Sequence, residues 1–326
     1  MITKSAFKPA WWLRNNHLQT VFRIFYRSLP ALSYRRERIG LPDGDFVNLL
    51  WVDEGVASEA PLVVLLPGLC SDELSNYIKA QILSNQKMGW RSVILQHRGT
   101  GSEPNLKMRA YHAGDTADLD YVLRVITERE PSSHKLGVGF SLGGNILLKW
   151  LGEYSSETLL SAAVVVSVPF KLNLVADRLN QGVSRCYQTY LLSQLRQNFM
   201  RKKKLFPNAK FFEVLKSCRC FWTFDHNITA PLNGFDGAHH YYHEASSHLY
   251  LAHISTPTLI IHAADDPLMT PEVLPNPNEL SSSVLLELSE RGGHLGFVSG
   301  CIPLRPKFWL DKRIPEFFEQ QFALQA

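Results

Sequence analysis

The chain lacks any apolar run near the ~20 residues that a membrane span requires, so no transmembrane helix is expected. Its opening stretch, "MITKSAFKPAWWLRNNHLQ", has neither a long apolar segment nor a small-residue cleavage site, so no secretory signal is expected. Cysteine is scarce, five residues in all, scattered and odd in number. Cys218 and Cys220 have no second pair to complete a zinc site. A reduced, cytoplasmic protein is therefore expected. The formal charge of +4 is slight and gives no ground for a nucleic-acid partner. Internal repeats and low-complexity linkers are also missing. What remains is an ordinary apolar fraction of 45%, enough for a sizeable core.

Short apolar runs, each followed by a loop, recur along the chain. "APLVVLLPGLC" (60–70) reads as a buried strand ending at Pro-Gly. "WRSVILQHRGTG" (90–101), "LGVGF" (136–140), "AAVVVSVPF" (162–170), "TPTLIIHAADDP" (256–267) and "SVLLELSERGGH" (283–294) repeat the pattern. Helical spacing fills the gaps at 75–89, 115–130 and 142–154. Alternating strands and helices imply an α/β fold, with a mostly parallel sheet flanked by helices on both faces. The expectation is a single domain over 1–326. Residues 171–245 interrupt the alternation with helical and aromatic sequence, and read as a cap insertion over the carboxyl ends of the strands.

"LGVGFSLGGN" (136–145) places Ser141 two residues from Gly139 and two from Gly143. A dinucleotide fingerprint fails here because Leu142 occupies the third glycine position, and a P-loop fails because Asn145 follows Gly144. The stretch fits a nucleophile elbow: strand, G-x-S-x-G, helix. An activated serine needs a base and a group that orients the base. In α/β-hydrolases these follow the serine as acid, then histidine. Here "AADDP" and "GGHLGF" come after strands in that order, offering Asp265 or Asp266 and then His294. Placing Ala263 at the small position of a small-x-x-Asp loop selects Asp266. The oxyanion needs two backbone N–H donors. Leu142 supplies one, and Leu69 in the "PGLC" loop the other. Cys70 beside them reads as a small buried side chain.

These residues resemble the YheT-type esterases of the α/β-hydrolase superfamily, relatives of eukaryotic abhydrolase-domain lipases. The resemblance rests on "NHLQT" (16–20), "PGL" (67–69), "QHRGTG" (96–101), "GFSLGGN" (139–145), "YY" (241–242), "PTLIIHAADDP" (257–267), "GGHLGF" (292–297) and "WLDKRIPEFF" (309–318). The stretch "PGLCSDELSNYI" departs from the Gly/Ser/Thr-rich turn that often follows "PGL". The resemblance implies hydrolysis of carboxylic or lipid esters by Ser141, His294 and one Asp of "ADDP". No cofactor or metal is expected, and the partner is a small-molecule or lipid ester.

Two other classes fit the sequence less well. An acyltransferase of the H-x-x-x-x-D type is disfavoured because no histidine has Asp five positions on. A binding or scaffold protein on the same fold would be signalled by loss of one of the three residues, and none is lost. His17 and Gln19 of "NHLQT" read as a polar anchor for the N-terminal arm. "RKKK" (201–204) reads as a solvated basic run that leaves room for transient membrane-surface contact, and the Trp pair of "AWWL" (10–13) as core cover. The histidines of "GAHHYYHEASSH" lack the H-E-x-x-H context of a metal site.

Overall fold

The computed structural model describes residues 1–26, 29–71, 75–303 and 305–325. Asp72, Glu73 and Leu74, within the stretch that departs from the family pattern, lie outside the described residues. Nine strands form one sheet: β1 (Ile2–Lys4), β2 (Arg35–Gly40), β3 (Phe46–Val52), β4 (Leu62–Leu66), β5 (Arg91–Gln96), β6 (Lys135–Phe140), β7 (Ala162–Val166), β8 (Thr258–Ala263) and β9 (Val284–Ser289). Their order is β1-β9-β8-β7-β6-β4-β5-β3-β2. Pairing is parallel from β1 through β5, and antiparallel at β5–β3 and β3–β2. A small hairpin adds β10 (Val298–Ser299) and β11 (Lys307–Phe308).

The helices are α1 (Asn16–Tyr26), α2 (Asn76–Lys87), α3 (Thr116–Arg129), α4 (Leu142–Tyr154), α5 (Leu172–Leu179), α6 (Ser184–Arg201), α7 (Phe211–Leu215), α8 (Phe221–Phe224), α9 (Ala230–Leu232), α10 (Ala238–Ala245) and α11 (Leu310–Gln325). A π-helical turn, Asp225–Thr229, joins α8 to α9. Every residue of β4, β5, β6, β7 and β8 is buried. Both faces of these strands are covered, which is why their sequences read as unbroken apolar runs. Successive residues serve opposite cores. Leu62, Val64 and Leu66 face α3 and α4, while Val63 and Leu65 join Ile78, Ile82, Ile314 and Phe318 of α2 and α11.

This order positions the site. The chain leaves β4 for β5 on one side, then returns to place β6 on the other. Loops after β4 and β6 therefore diverge at a switch point, where a crevice opens beyond the carboxyl ends of the strands. The first of these loops carries "PGL" and the second Ser141. Between β7 and β8 the chain runs through α5 to α10, and side chains from α5, α6, α8 and α10 line one cavity with Ser141.

Candidate active site

Ser141 stands between β6 and α4 with φ +51° and ψ −118°, a conformation rare for any residue with a side chain. Its N–H donates to the Val166 carbonyl at 2.9 Å, and its carbonyl accepts from the Asn145 N–H at 3.1 Å. Both flanking glycines are sterically required. A Cβ on Gly139 would lie 2.6 Å from Gly144 Cα, and one on Gly143 would overlap the carbonyl oxygens of Leu66 and Pro67. The turn thus brings the start of α4 directly against the end of β4.

His294 Nε2 lies 3.1 Å from Ser141 Oγ, and its Nδ1 lies 2.7 Å from Asp266 Oδ2. Asp266 is buried and also accepts from the Leu268 N–H through Oδ1, at 2.9 Å. Burial alone would raise its pKa, but the charge and hydrogen bond of His294 hold it below the ordinary carboxylate value. Asp265 faces elsewhere. Its Oδ1 accepts from the Gly293 N–H at 2.9 Å, its carbonyl accepts from Asn16 Nδ2 at 2.7 Å, and burial pushes its pKa up. The neighbouring His262 is buried, has no partner for Nδ1 among the described residues, and is lowered to about 4 by desolvation, so it is neutral.

The His294 loop rests on α1. The His294 N–H donates to Thr20 Oγ1 at 2.9 Å, and a Cβ on Gly296 would overlap the Gln19 carbonyl. Gln19 is fully buried; its amide donates to the carbonyls of Leu13 and Val298 and accepts from the Val298 N–H. His17 instead reaches α6, with Nδ1 3.0 Å from the Tyr187 hydroxyl. "NHLQT" therefore links the N-terminal arm, the His294 loop and α6.

The Leu69 loop is held on both sides of one free donor. The Gly68 N–H donates to the Tyr77 hydroxyl at 3.0 Å, and the Cys70 N–H to the Tyr111 hydroxyl at 2.8 Å. Between them, the Leu69 N–H has no partner among the described residues, and the same is true of the Leu142 N–H at the first position of α4. His97 stacks on Tyr111 with ring centroids 4.9 Å apart. Burial lowers its pKa, so the neutral ring donates from Nε2 to the Pro67 carbonyl at 3.0 Å. Sequence reasoning passed over His97, Tyr77 and Tyr111; only the "QHRGTG" motif marked one of them. Cys70 adopts φ +56°, and burial pushes its thiol up to about 12, so it is not a thiolate.

Ser141, Leu69 and Leu142 line a predominantly apolar cavity that leaves about 120 Å³ open to the centres of water molecules. Leu172, Val175, Leu179, Leu195, Phe199 and Phe224 supply much of its wall. One polar group in the wall is Asp225, whose oxygens accept from Thr229 Oγ1 and the Tyr242 hydroxyl, both at 2.6 Å. Burial raises Asp225 to about 6.

Two expectations about surface residues need correction. "RKKK" is not a uniformly solvated run. Lys202 is only 2% exposed and donates to the carbonyls of Lys107, Met108 and Arg109, while Arg201 donates to those of Gly99 and Gly101. The end of α6 folds onto the loops after β5, and backbone carbonyls replace water around these two cations. Of the Trp pair, Trp12 packs on Phe22, but Trp11 is 62% exposed because its Nε1 is tied to the Cys301 carbonyl at the surface. Among the described residues, no cluster of His, Cys, Asp and Glu is arranged to hold a metal, and no helix is long and apolar enough to cross a membrane.

Residues 61–300 match the family model described as alpha/beta hydrolase fold. The chain is 39% identical to the Escherichia coli protein named "Putative esterase YheT", over 97% of this chain and 93% of that one. It is 29% identical to the mouse protein named "Phospholipase ABHD3", over 98% and 79% of the two chains. Among solved structures it is similar to the Pyrococcus furiosus esterase Pf2001, with TM-score 0.58 and 16% identity over 91% of this chain and 96% of that one, a likeness of fold. A nine-stranded, mostly parallel sheet, a strained serine turn at its switch point, and these matches together show that the chain belongs to the α/β-hydrolase-fold family, in the same branch as the YheT protein.

Proposed function

We propose that this protein is a serine hydrolase of carboxylic esters, acting through Ser141, His294 and Asp266. One observation carries the reading: a continuous hydrogen-bonded chain, 3.1 and 2.7 Å, from a strained serine through His294 to a buried carboxylate, opening on an apolar cavity. Asp266 holds the Nδ1 proton, which leaves Nε2 as the base. Nε2 takes the Ser141 proton as Oγ attacks the ester carbonyl. The N–H groups of Leu69 and Leu142 receive the oxyanion. The tetrahedral intermediate expels the alcohol, which leaves with the proton from Nε2. Water then gives its proton to Nε2 and attacks the acyl-enzyme, and Ser141 regains its proton as the acid departs.

The cavity wall supports an acyl chain as the buried part of the substrate. The names of the relatives, an esterase and a phospholipase, are consistent with short- or medium-chain acyl esters or lipid esters. Residues 171–245 would form the cap that encloses this chain. A fluorophosphonate probe tests the nucleophile. It should label the protein at Ser141, and Ser141→Ala should lose both labelling and turnover while keeping its melting temperature. Equal ester turnover by Ser141→Ala and the parent would reject the mechanism.

A further inference from the structure

Positive charge is segregated along this chain. Residues 1–36 contain seven Lys and Arg, and residues 178–212 contain eight, yet neither segment has a single Asp or Glu. Together they hold fifteen of the chain's 34 cations and none of its 30 acids, so the remainder carries a net charge of −11. The fold brings the two segments together. His17 of α1 stacks on Tyr187 of α6, with centroids 5.8 Å apart and planes 12° from parallel.

The joined elements are also apolar on the outside. α6 buries Leu192, Leu195 and Phe199 and lines the cavity with Leu191, Leu195 and Phe199. At its opposite side Tyr190 is 63% exposed, and Val183, immediately before the helix and about two turns earlier, is 60% exposed. Trp11 and Leu18 are exposed beside or on α1. Lys8, Arg14, Arg185, Lys203 and Lys204 are exposed and form no ion pair among the described residues. Two exposed acids border the second segment, Asp177, which accepts from Trp222 Nε1 at 2.7 Å, and Glu213 at its far end.

Exposed aromatic and aliphatic side chains on two contacting segments that also carry unpaired cations and no acid match a surface that is anionic outside and apolar beneath. We propose that the joined face of α1 and α6 docks on an anionic lipid surface, with Trp11, Leu18, Val183 and Tyr190 entering the headgroup layer and the Lys and Arg of the same segments meeting lipid phosphates. The same helix then has one side on lipid and the other on the cavity, which would bring a lipid ester to the cavity with little exposure to water. Docking itself does not depend on the chemistry of Ser141, so Ser141→Ala should bind vesicles as the parent does.

The test is co-sedimentation of the full chain with vesicles of phosphatidylcholine alone or with one quarter phosphatidylglycerol. Binding should require the anionic lipid and fall in 0.5 M salt. At roughly 1 kcal/mol per cation near such a surface, Arg14→Gln/Arg185→Gln/Lys204→Gln should weaken partitioning on the order of 100-fold. The charge-matched control Lys87→Gln/Arg124→Gln/Lys312→Gln should weaken it far less. Trp11 fluorescence should be quenched by brominated lipid; Trp11→Phe identifies its share. Equal binding to neutral vesicles, equal losses in the two triple variants, or concentration-dependent dimerisation through this face in place of lipid binding would each overturn the proposal.

Discussion

Exchanging one oxygen for a nitrogen at position 266 should separate the roles of the adjacent aspartates. In Asp266→Asn, one amide atom must face His294 Nδ1 at 2.7 Å and the other the Leu268 N–H at 2.9 Å. The Leu268 N–H can only donate, so it takes the amide oxygen. The NH2 group then points at Nδ1, and two donors cannot share that contact. Nδ1 gives up its proton, and Nε2 carries it, facing Ser141 Oγ at 3.1 Å. A histidine in that tautomer cannot receive the serine proton. The equivalent exchange in a serine protease costs about 10⁴-fold in kcat, or about 5.5 kcal/mol of transition-state stabilisation. Asp265→Asn should behave differently, because its carbonyl oxygen can still accept from the Gly293 N–H. Its kcat should stay within roughly threefold of the parent, since no proton of the Ser141–His294 pair depends on it. The assay is kcat on p-nitrophenyl butyrate for both variants, with melting temperatures measured alongside. Comparable losses, or the larger loss in Asp265→Asn, would refute the assignment of Asp266 and leave the serine and histidine roles standing.

Acyl-chain length offers a second measurement: each methylene buried in the cavity should raise kcat/KM about fourfold, from roughly 0.8 kcal/mol per group, until the space is filled. A flat series from acetate upward would count against the cavity as the acyl site. Gly143→Ala should cost far more stability than an ordinary helix substitution, because its Cβ would overlap the Leu66 and Pro67 carbonyls and push α4 away from the Leu69 loop; a parent-like melting temperature would contradict the close approach. Asp225 is raised to about 6 in the folded protein, above its ordinary 3.8, so folded-state stability falls as pH rises through that interval. Asp225→Asn has no proton to lose and should gain up to about 3 kcal/mol over the parent at pH 8, with the gap closing below about pH 4; a gap of equal size at both pH values would rule out the buried carboxyl as its origin.

The central strands were legible because burial on both faces leaves no room for alternation, so "LVVLL" and "AAVVV" stand out without context. The edges were not. β2, "RRERIG", is a mostly exposed edge strand whose arginines read as surface, and its identity lies in the register with β3, where Arg35 pairs with Trp51 and Ile39 with Val47. β1 has three residues and joins β9 across more than 280 positions of chain. No local signal can announce a strand whose ladder lies that far away. α1 and α11 carry two motifs of the resemblance, "NHLQT" and "WLDKRIPEFF", but spacing alone did not mark them as elements, and the β10–β11 hairpin falls outside every motif.

The same division runs through the candidate site. Glycines at 139 and 143 could be read because the crowding they relieve is a property of the serine turn itself. Ser141, Asp266 and His294 could be read because each follows a strand, and parallel strands deliver their carboxyl ends to one edge. Lys202 could not. Four consecutive basic letters look solvated, and what makes Lys202 different is a set of three carbonyls from residues 107–109, almost a hundred positions earlier. Tyr77 and Tyr111 escape for a related reason. Their hydroxyls take up the N–H groups on either side of Leu69, whose own N–H has no partner among the described residues, so what they do is bind backbone donors rather than present a reactive group. A motif records groups that meet substrate; residues that set which backbone donor stays free become visible only when the loops around the switch point are folded against one another.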